Sequence, residues 1–310
     1  MQIDDDTKNF IKLMIDNKLP KVETLSPMDL REMRASGAKI PIKNQIKIRS
    51  IKDSSFQSKK RNIKFRIYSD QFLDQEPLII FFHGGGFVMG NLDSHDLLCR
   101  HLCKKTKCKV IAIDYSLAPE NKFPNPLEDV VNSVKYIFQN SKKLKFNDKK
   151  VIVCGDSAGG NFALIISILS KEKKIPLISG QVLFYPWVDF TLSRPSMDIE
   201  LEGLIVTKET LMYFANHYLK NDEDRTNWKI SPLFYPDFSS MPTTYIYTAG
   251  LDPLRDEGYA LYKRLLSWGN KTYFKNYEGQ MHAFVNNIIH LPTSLDCIKN
   301  ASKAIKEMIK

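Results

Sequence analysis

Apolar runs alternate with helical patterns along most of the chain. Strands are predicted at Leu78–Phe82, Lys109–Tyr115, Val151–Gly155, Gln181–Tyr185, Thr243–Gly250 and Lys271–Tyr277. Continuous apolar runs of this kind are typical of strands buried on both faces of a parallel sheet. Two further segments, Asn44–Asp53 and Arg61–Asp70, alternate apolar and polar residues, which predicts an antiparallel pair at one sheet edge. We therefore expect an α/β fold with a mostly parallel, eight-stranded sheet and helices on both faces.

The segment around Ser157 predicts a strand, a tight turn and a helix. An apolar run ends at Gly155, Ser157 follows two residues later, and Gly159 precedes the helical pattern. In a Gly-x-Ser-x-Gly turn the flanking residues are small, because larger side chains would collide with the turn or the strand. We interpret Ser157 as a catalytic nucleophile.

A glycine-rich loop, His83-Gly-Gly-Gly-Phe87, follows the predicted strand Leu78–Phe82. Consecutive glycines leave backbone N–H groups that a ligand can approach without meeting a Cβ. Together with the N–H of Ala158, such donors form an oxyanion hole. A phosphate-binding loop is disfavoured, since no Gly-Lys-Ser/Thr follows and the glycines lack the dinucleotide-binding spacing.

A serine hydroxyl needs a base, and the base needs a carboxylate that orients it. Asp252 follows the predicted strand Thr243–Gly250, and His282 lies in the predicted loop 278–284 after the next strand. Both positions are at strand C-termini, where open α/β sheets place their sites. Of the other histidines, His83 is expected to brace the glycine loop, and four are interpreted as packing or surface residues: His95, His101, His217 and His290. The rival carboxylates, Asp256 and Glu257, open a predicted helix and are interpreted as structural.

Five motifs resemble those of the hormone-sensitive-lipase family of α/β-hydrolases over about residues 60–290. They are His83-Gly-Gly-Gly-Phe-Val-Met-Gly90, Asp114-Tyr-Ser-Leu-Ala-Pro-Glu120, Gly155-Asp-Ser-Ala-Gly-Gly160, Gly250-Leu-Asp-Pro-Leu-Arg-Asp-Glu257 and Gly279-Gln-Met-His282. The resemblance implies the α/β-hydrolase fold and a Ser157–Asp252–His282 triad. It also implies oxyanion donors at Gly85, Gly86 and Ala158, with Gly84 as a further candidate. Family members often carry arginine in place of Ser116 and glycine in place of Ala283.

The interval between Tyr185 and Thr243 is too long for an ordinary connection. Helical patterns within it at Lys208–Leu219, and near the N-terminus at Thr7–Lys18, fit the cap of the resembled family. We divide the chain into a catalytic domain, 46–187 and 241–310, and a cap formed by 1–45 and 188–240. Ordinary packed surface helices are the alternative. Three aromatic residues are candidates for the substrate pocket: Phe87, Trp187 and Phe214.

The predicted activity is that of a serine carboxylesterase acting on short-chain esters through an acyl-enzyme, without a metal or an organic cofactor. The same triad could instead act on amides, acetyl conjugates or formamides. A receptor that binds a small molecule without hydrolysis is a third alternative, which the presence of His282 disfavours. The expected partner is a small-molecule ester, and a homodimer is left open.

Composition changes this picture little. The net charge of +10 comes from scattered lysines, with no motif of a nucleic-acid-binding protein. Five cysteines cannot all pair. Cys99, Cys103 and Cys108 are interpreted as reduced core residues and not as metal ligands, which favours a cytoplasmic location. The sequence shows neither a signal peptide nor a run of transmembrane length, so stable membrane insertion is not expected.

Overall fold

An eight-stranded sheet with the order β1-β2-β4-β3-β5-β6-β7-β8 forms the centre of the fold. The computed structural model describes residues 2–37, 46–58, 61–71, 73–221 and 225–310. The strands are β1 Ser50–Gln57, β2 Asn62–Ser69, β3 Glu76–Phe82, β4 Lys109–Asp114, β5 Phe146–Asp156, β6 Gly180–Phe184, β7 Thr243–Leu251 and β8 Thr272–Met281. β2 pairs antiparallel with β1 and β4, and all other neighbours are parallel. The predicted fold class is confirmed.

Helices connect the strands and cover the sheet. They are α1 Asp5–Asp16, α2 Pro27–Gly37, α3 Asp96–Thr106, α4 Asn125–Gln139, α5 Ser141–Leu144, α6 Ala158–Lys171, α7 Lys208–Tyr218, α8 Arg255–Ser267 and α9 Ser294–Met308. α3 packs on α9 and on β2 and β4, whereas α4 packs on α6, which itself packs on β3, β5 and β6. Within the described ranges, every helix is too short or too polar to cross a bilayer.

The core lies where the central strands meet α6. Every residue of Leu78–Phe82 in β3 is inaccessible to solvent, as are Val151–Cys154 in β5. α6 is buried along almost its whole length, because the sheet covers one side and the segment around Pro232–Phe234 covers another. A helix that is apolar on all sides is stable only when it is covered in this way. The nucleophile candidate therefore stands at the start of the most buried helix.

Two strand boundaries differ from the sequence-based prediction. The first strand begins at Ser50 and not at Asn44, which lies outside the described residues. Ile46 and Ile48 carry the alternating pattern, but they pack against the core without joining the sheet. At the other edge, β8 continues to Met281, so the expectation of a loop from 278 was wrong. A register shift between Ala249 and Leu251 allows this continuation.

The segments before β1 and between β6 and β7 touch each other above the sheet. Tyr213 Oη on α7 donates a hydrogen bond to Leu25 O at 3.0 Å, and Thr210 Oγ1 donates one to Glu23 at 3.3 Å. Nearer the N-terminus, the Asp4 N–H donates to Gly279 O at 3.1 Å. The N-terminal segment is thus anchored both to α7 and to the C-terminal end of β8.

The spacing of β3, β5 and α6 depends on Gly159. A Cβ at this position would lie 1.9 Å from Phe82 O, which is a backbone atom that cannot move independently. We expect Gly159→Ala to lower the free energy of unfolding by about 3 kcal/mol or more through overpacking. Urea denaturation measures this change.

Gly269→Ala provides the control for that measurement. Gly269 has a φ of +76°, and no described atom lies within 4 Å of its added Cβ. Gly269→Ala should therefore lower the free energy of unfolding by about 1 kcal/mol, through the left-handed backbone alone. Equal costs at the two glycines would contradict the proposed close approach.

Candidate active site

Ser157 occupies the corner between β5 and α6. Its backbone has a φ of +55° and a ψ of −118°, a conformation that is rare for a residue with a side chain. The Ser157 N–H donates to Phe184 O at 2.9 Å, and Ser157 O accepts from the Trp187 N–H at 3.1 Å. These bonds hold the strained residue from the side of β6. The hydroxyl consequently points out of the C-terminal edge of the sheet.

His282 and Asp252 reach Ser157 from neighbouring strands. His282 Nε2 lies 3.0 Å from Ser157 Oγ, and His282 Nδ1 lies 2.7 Å from Asp252 Oδ2. The Leu254 N–H donates to the other Asp252 oxygen at 2.8 Å. All three side chains are at least nine-tenths buried. The structure thus brings the three predicted site residues into one hydrogen-bonded chain.

Strand register explains why residues so far apart in sequence meet. Leu251 of β7 pairs with Met281 of β8, so Asp252 and His282 leave the sheet side by side. A Cβ at Gly250 would lie 2.0 Å from Glu278 O, so only glycine permits this close approach of the two strands. On the other side of Ser157, Phe82 of β3 pairs with Gly155 of β5. That pairing places the glycine loop beside the nucleophile.

The glycine loop presents two bare N–H groups. Gly85 and Gly86 have φ values of +119° and +60°, and a Cβ at Gly85 would lie 2.2 Å from Met89 O. Among the described residues, none accepts a hydrogen bond from the N–H of Gly85, Gly86 or Ala158. Gly84 differs, because its N–H donates to Asp156 Oδ1 at 2.8 Å. Gly84 therefore anchors the loop, and its N–H is not available to a substrate oxygen.

A buried pair of Asp156 and His95 stands behind the loop. His95 Nε2 lies 3.1 Å from Asp156 Oδ1, and Ser94 Oγ lies 2.9 Å from His95 Nδ1. Burial raises the pKa of Asp156, but attraction to His95 and hydrogen bonds from His95 and Gly84 outweigh it, so the pKa is lowered overall. The interpretation of His95 as a packing or surface residue was wrong, because it pairs with Asp156. The one sign of this contact in the sequence is the acidic residue directly before Ser157.

His83 braces the loop, as predicted. Its Nδ1 lies 2.8 Å from Gly84 O, and its ring stacks on Tyr115 at 4.2 Å between centroids. The Tyr115 hydroxyl donates to His83 O at 2.6 Å. Burial, together with the nearby His95, lowers the pKa of His83 to about 3. His83 is therefore neutral at physiological pH.

The rival acids and histidines lie away from Ser157. Asp256 accepts from the Ser196 N–H at 2.9 Å, and Glu257 accepts from the Asp189 N–H at 3.1 Å. Burial raises the pKa of Glu257 well above its usual value. Both acids thus tie the start of α8 to the segment after β6, as a structural role requires. His290 stacks on Phe10 at 5.2 Å, and His217 packs on Tyr213 at 4.5 Å. His101 lies buried within α3.

A cavity of about 590 Å³ opens over Ser157 and His282. Phe214 lies in its wall, and a Cβ at Gly86 would come within 2.3 Å of the Phe214 ring. Phe87 and Trp187 do not line this cavity, so their assignment to the pocket was wrong. Phe87 stacks on Tyr218 at 4.1 Å, and Trp187 stacks on Phe190 at 4.0 Å, all within the core. Aromatic bulk alone does not reveal which way a side chain faces.

The two departures from the resembled family lie at the cavity. Ala283 has a φ of +64°, a left-handed conformation that favours glycine. Ser116 lines the cavity, and its buried hydroxyl has no hydrogen-bond partner among the described residues. A second cavity of about 1460 Å³ adjoins the first and shares Arg34, Ser94 and Ile205 with it. Space therefore extends from the serine beneath α2 and the segment before α7.

Cys99, Cys103 and Cys108 are buried, and each is a free thiol. Burial raises the pKa of Cys103 to about 12 and that of Cys108 to about 11. Within the described residues, no group of three or more His, Cys, Asp or Glu side chains is arranged to hold a metal ion.

Known proteins resemble this chain over most of its length. A family profile described as the alpha/beta hydrolase fold matches residues 79–286. An arylesterase of Saccharolobus solfataricus is 32% identical over 237 residues, which cover 76% of this chain and 77% of that protein. An acetyl esterase of Salmonella dublin is 32% identical over 255 residues, which cover 80% and 77%. The solved structure of a hyperthermophilic esterase from the archaeon Pyrobaculum calidifontis superposes with a TM-score of 0.94 at 30% identity, over 99% of each chain.

The carboxylate of Asp156 should stabilise the site in a pH-dependent way. Its lowered pKa means that the stabilisation is present above the usual aspartate pKa of about 3.9 and is lost as pH falls through the folded-state value. We expect Asp156→Asn to lower the free energy of unfolding at pH 7 by about 2 kcal/mol, since a buried charged acceptor is replaced by a neutral one. Denaturant unfolding of both proteins from pH 7 to pH 3 measures the difference, which should shrink below pH 4. A constant difference across this range would contradict the role assigned to the charge.

Proposed function

The chain belongs to the α/β-hydrolase fold family, in its hormone-sensitive-lipase-like branch, and is a carboxylic ester hydrolase; we propose that Ser157, His282 and Asp252 form its catalytic triad. The observation that carries this proposal is the continuous chain of hydrogen bonds, 3.0 Å from Ser157 Oγ to His282 and 2.7 Å from His282 to Asp252. Both distances lie within the range that proton transfer and imidazole orientation require.

The first half of the reaction acylates the serine. His282 Nε2 takes the proton of Ser157 Oγ as that oxygen attacks the ester carbonyl carbon. Asp252 accepts the hydrogen bond from Nδ1, which keeps the imidazole in the tautomer whose Nε2 is free to accept. The negative charge that develops on the carbonyl oxygen is stabilised by the N–H groups of Gly85, Gly86 and Ala158. His282 then protonates the departing alcohol.

Hydrolysis of the acyl-enzyme repeats these steps with water. His282 removes a proton from the water molecule that attacks the acyl carbon, and the same N–H groups hold the second oxyanion. Collapse of that intermediate returns the proton to Ser157 and releases the acid. The left-handed backbone of Gly85 and Gly86 fixes the direction of the donors before the substrate arrives, so little reorganisation is needed.

We infer that the substrates are short-chain esters held beneath a cap. The segments 1–45 and 188–240 form this cap, and 46–187 with 241–310 form the catalytic domain. The contacts of α7 with Leu25 and Glu23 support this division, because they join the two cap segments above the site. Phe214 narrows the cavity next to Gly86. A homodimer and a cytoplasmic location remain predictions.

The nucleophile is tested by substitution and by covalent labelling. Ser157→Ala should lower kcat for p-nitrophenyl acetate by about 10⁴ or more, because no other group can form the acyl-enzyme. An organophosphate should add mass to the wild type at Ser157, as read by peptide mass spectrometry. Asp252→Asn should also lower kcat strongly, whereas Asp256→Asn should retain most of it. Labelling at another serine, or damage by Asp256→Asn alone, would overturn the assignment.

Phe214 should limit the length of the acyl chain. We expect p-nitrophenyl esters from acetate to hexanoate to be the best substrates of the wild type, with a decline beyond about eight carbons. Phe214→Ala should raise the ratio of kcat/KM for decanoate over acetate about tenfold, since hydrophobic pockets discriminate chain length by factors of this size. Met212→Ala is the control, because Met212 lies on the same helix and is 46% exposed. An unchanged ratio in Phe214→Ala would exclude this residue from the acyl pocket.

A further inference from the structure

Two arginines stand one helical turn apart on α2, and only one of them is satisfied. Arg31 Nε donates to Val88 O at 2.7 Å, and its terminal nitrogens bind Glu120 at 2.8 Å and Ala118 O at 2.6 Å. Arg34 forms no hydrogen bond and no ion pair with any described residue. Its Nε atom is nevertheless shielded from solvent. A shielded N–H of a charged group without an acceptor is costly, so the position of this Nε needs an explanation.

Arg34 lies in the wall shared by the two cavities. Burial lowers the pKa of Arg34, and no described carboxylate offsets that effect. Among the other charged side chains on the wall of the catalytic cavity, Arg31 pairs with Glu120 and Asp156 pairs with His95. Lys64 lies opposite Asp114 on the adjacent strand. Arg34 therefore contributes to the cavity wall a positive charge that has no counterion among the described residues.

We propose that Arg34 binds a carboxylate of the substrate, so that the ester hydrolysed by this protein also carries a free carboxyl group. This inference rests on the proposed function, since it assumes that the cavity over Ser157 holds an ester. A carboxylate matches a single guanidinium in charge, and its two oxygens match the planar fork of donors. The ligand would supply the acceptor that the Arg34 Nε lacks.

The charge distribution of the second cavity fixes where the carboxylate lies. Beyond Arg34, acidic residues outnumber basic ones in its wall: Glu23, Asp198, Glu200, Glu202 and Glu209 against Lys18, Lys21 and Lys208. An anion is therefore favoured at the junction of the two cavities and disfavoured deeper within the second. A substrate with its carbonyl at Ser157 thus has its carboxylate at the junction, on either the acyl or the alcohol side of the ester.

Two pairs of esters test the proposal and distinguish these sides. Phenyl acetate and 4-acetoxybenzoate share the acyl group and differ by a carboxylate on the leaving group. Phenyl hexanoate and monophenyl adipate share the leaving group and differ by a carboxylate at the end of the acyl chain. For each pair, the ratio of kcat/KM for the anionic ester to that for the neutral ester is measured in wild type, Arg34→Gln and Arg34→Lys. Intrinsic differences in reactivity cancel when this ratio is compared between variants.

We expect Arg34→Gln to lower the ratio about tenfold or more in one of the two pairs, because hydrogen bonds to charged groups contribute at least this much. Arg34→Lys should retain part of the ratio, since the charge remains and the fork is lost. Lys12→Gln removes an equal charge from an exposed position on α1 that lines neither cavity, and should leave both ratios unchanged. The pair that responds identifies the side of the ester that carries the carboxylate.

Ratios that Arg34→Gln leaves unchanged in both pairs, in an enzyme that hydrolyses the neutral esters, would overturn this inference alone. Failure of the wild type to hydrolyse any of the four esters, or equal rates in Ser157→Ala, would overturn the proposed function instead. Circular dichroism and thermal unfolding confirm that each variant is folded. An equal fall of kcat/KM for both esters of a pair would show that Arg34 supports the cap and does not bind the carboxylate. This result would also reject the proposal.

Discussion

The close approach of three backbones at Ser157 is the constraint on which the site depends. Gly155, Gly159 and Phe82 O come so near to one another that no Cβ fits at either glycine. This contact fixes α6 against β3 and β5, and Ser157 stands between them with a positive φ. The residues around Ser157 belong to the most buried part of the core. Its backbone therefore cannot relax to a helical conformation. The same contact brings the glycine loop after β3 within reach of the serine.

Around this corner, polar groups divide into those that hold the loop and those left free. Gly84 donates to Asp156, while His83 binds Gly84 O and stacks on Tyr115. The N–H groups of Gly85 and Gly86 have no such partners among the described residues. Because the loop is fixed at Gly84, its other N–H groups can stay free without forming hydrogen bonds within the loop. Preorganisation here therefore depends on anchoring groups that never touch the reacting atoms.

Much of this arrangement could be predicted from the sequence, because the strongest signals are local. Continuous apolar runs identified β3 and β5, and the glycines around Ser157 identified the turn. The positions of Asp252 and His282 at strand ends predicted that they are the partners of Ser157. One contact between distant segments escaped prediction: His95 pairs with Asp156, which lies 61 positions later in the chain. Side-chain direction escaped it as well, since Phe87 and Trp187 face the core and not the cavity. The edge strands β1 and β8 were misplaced because pairing and a register shift, not periodicity, set their ends.

Two arginines of α2 have different roles at the site: Arg31 holds neighbouring loops in place, and Arg34 lines the cavity. Arg31 clamps Val88 O, Ala118 O and Glu120, so one turn of α2 fastens the glycine loop to the loop after β4. The next turn places Arg34 in the cavity wall with its shielded Nε lacking an acceptor. A helix held firmly at one arginine can keep the other in a desolvated position that an isolated side chain would leave for water. Attachment at Arg31 thus favours a shielded position for the Arg34 Nε one turn later.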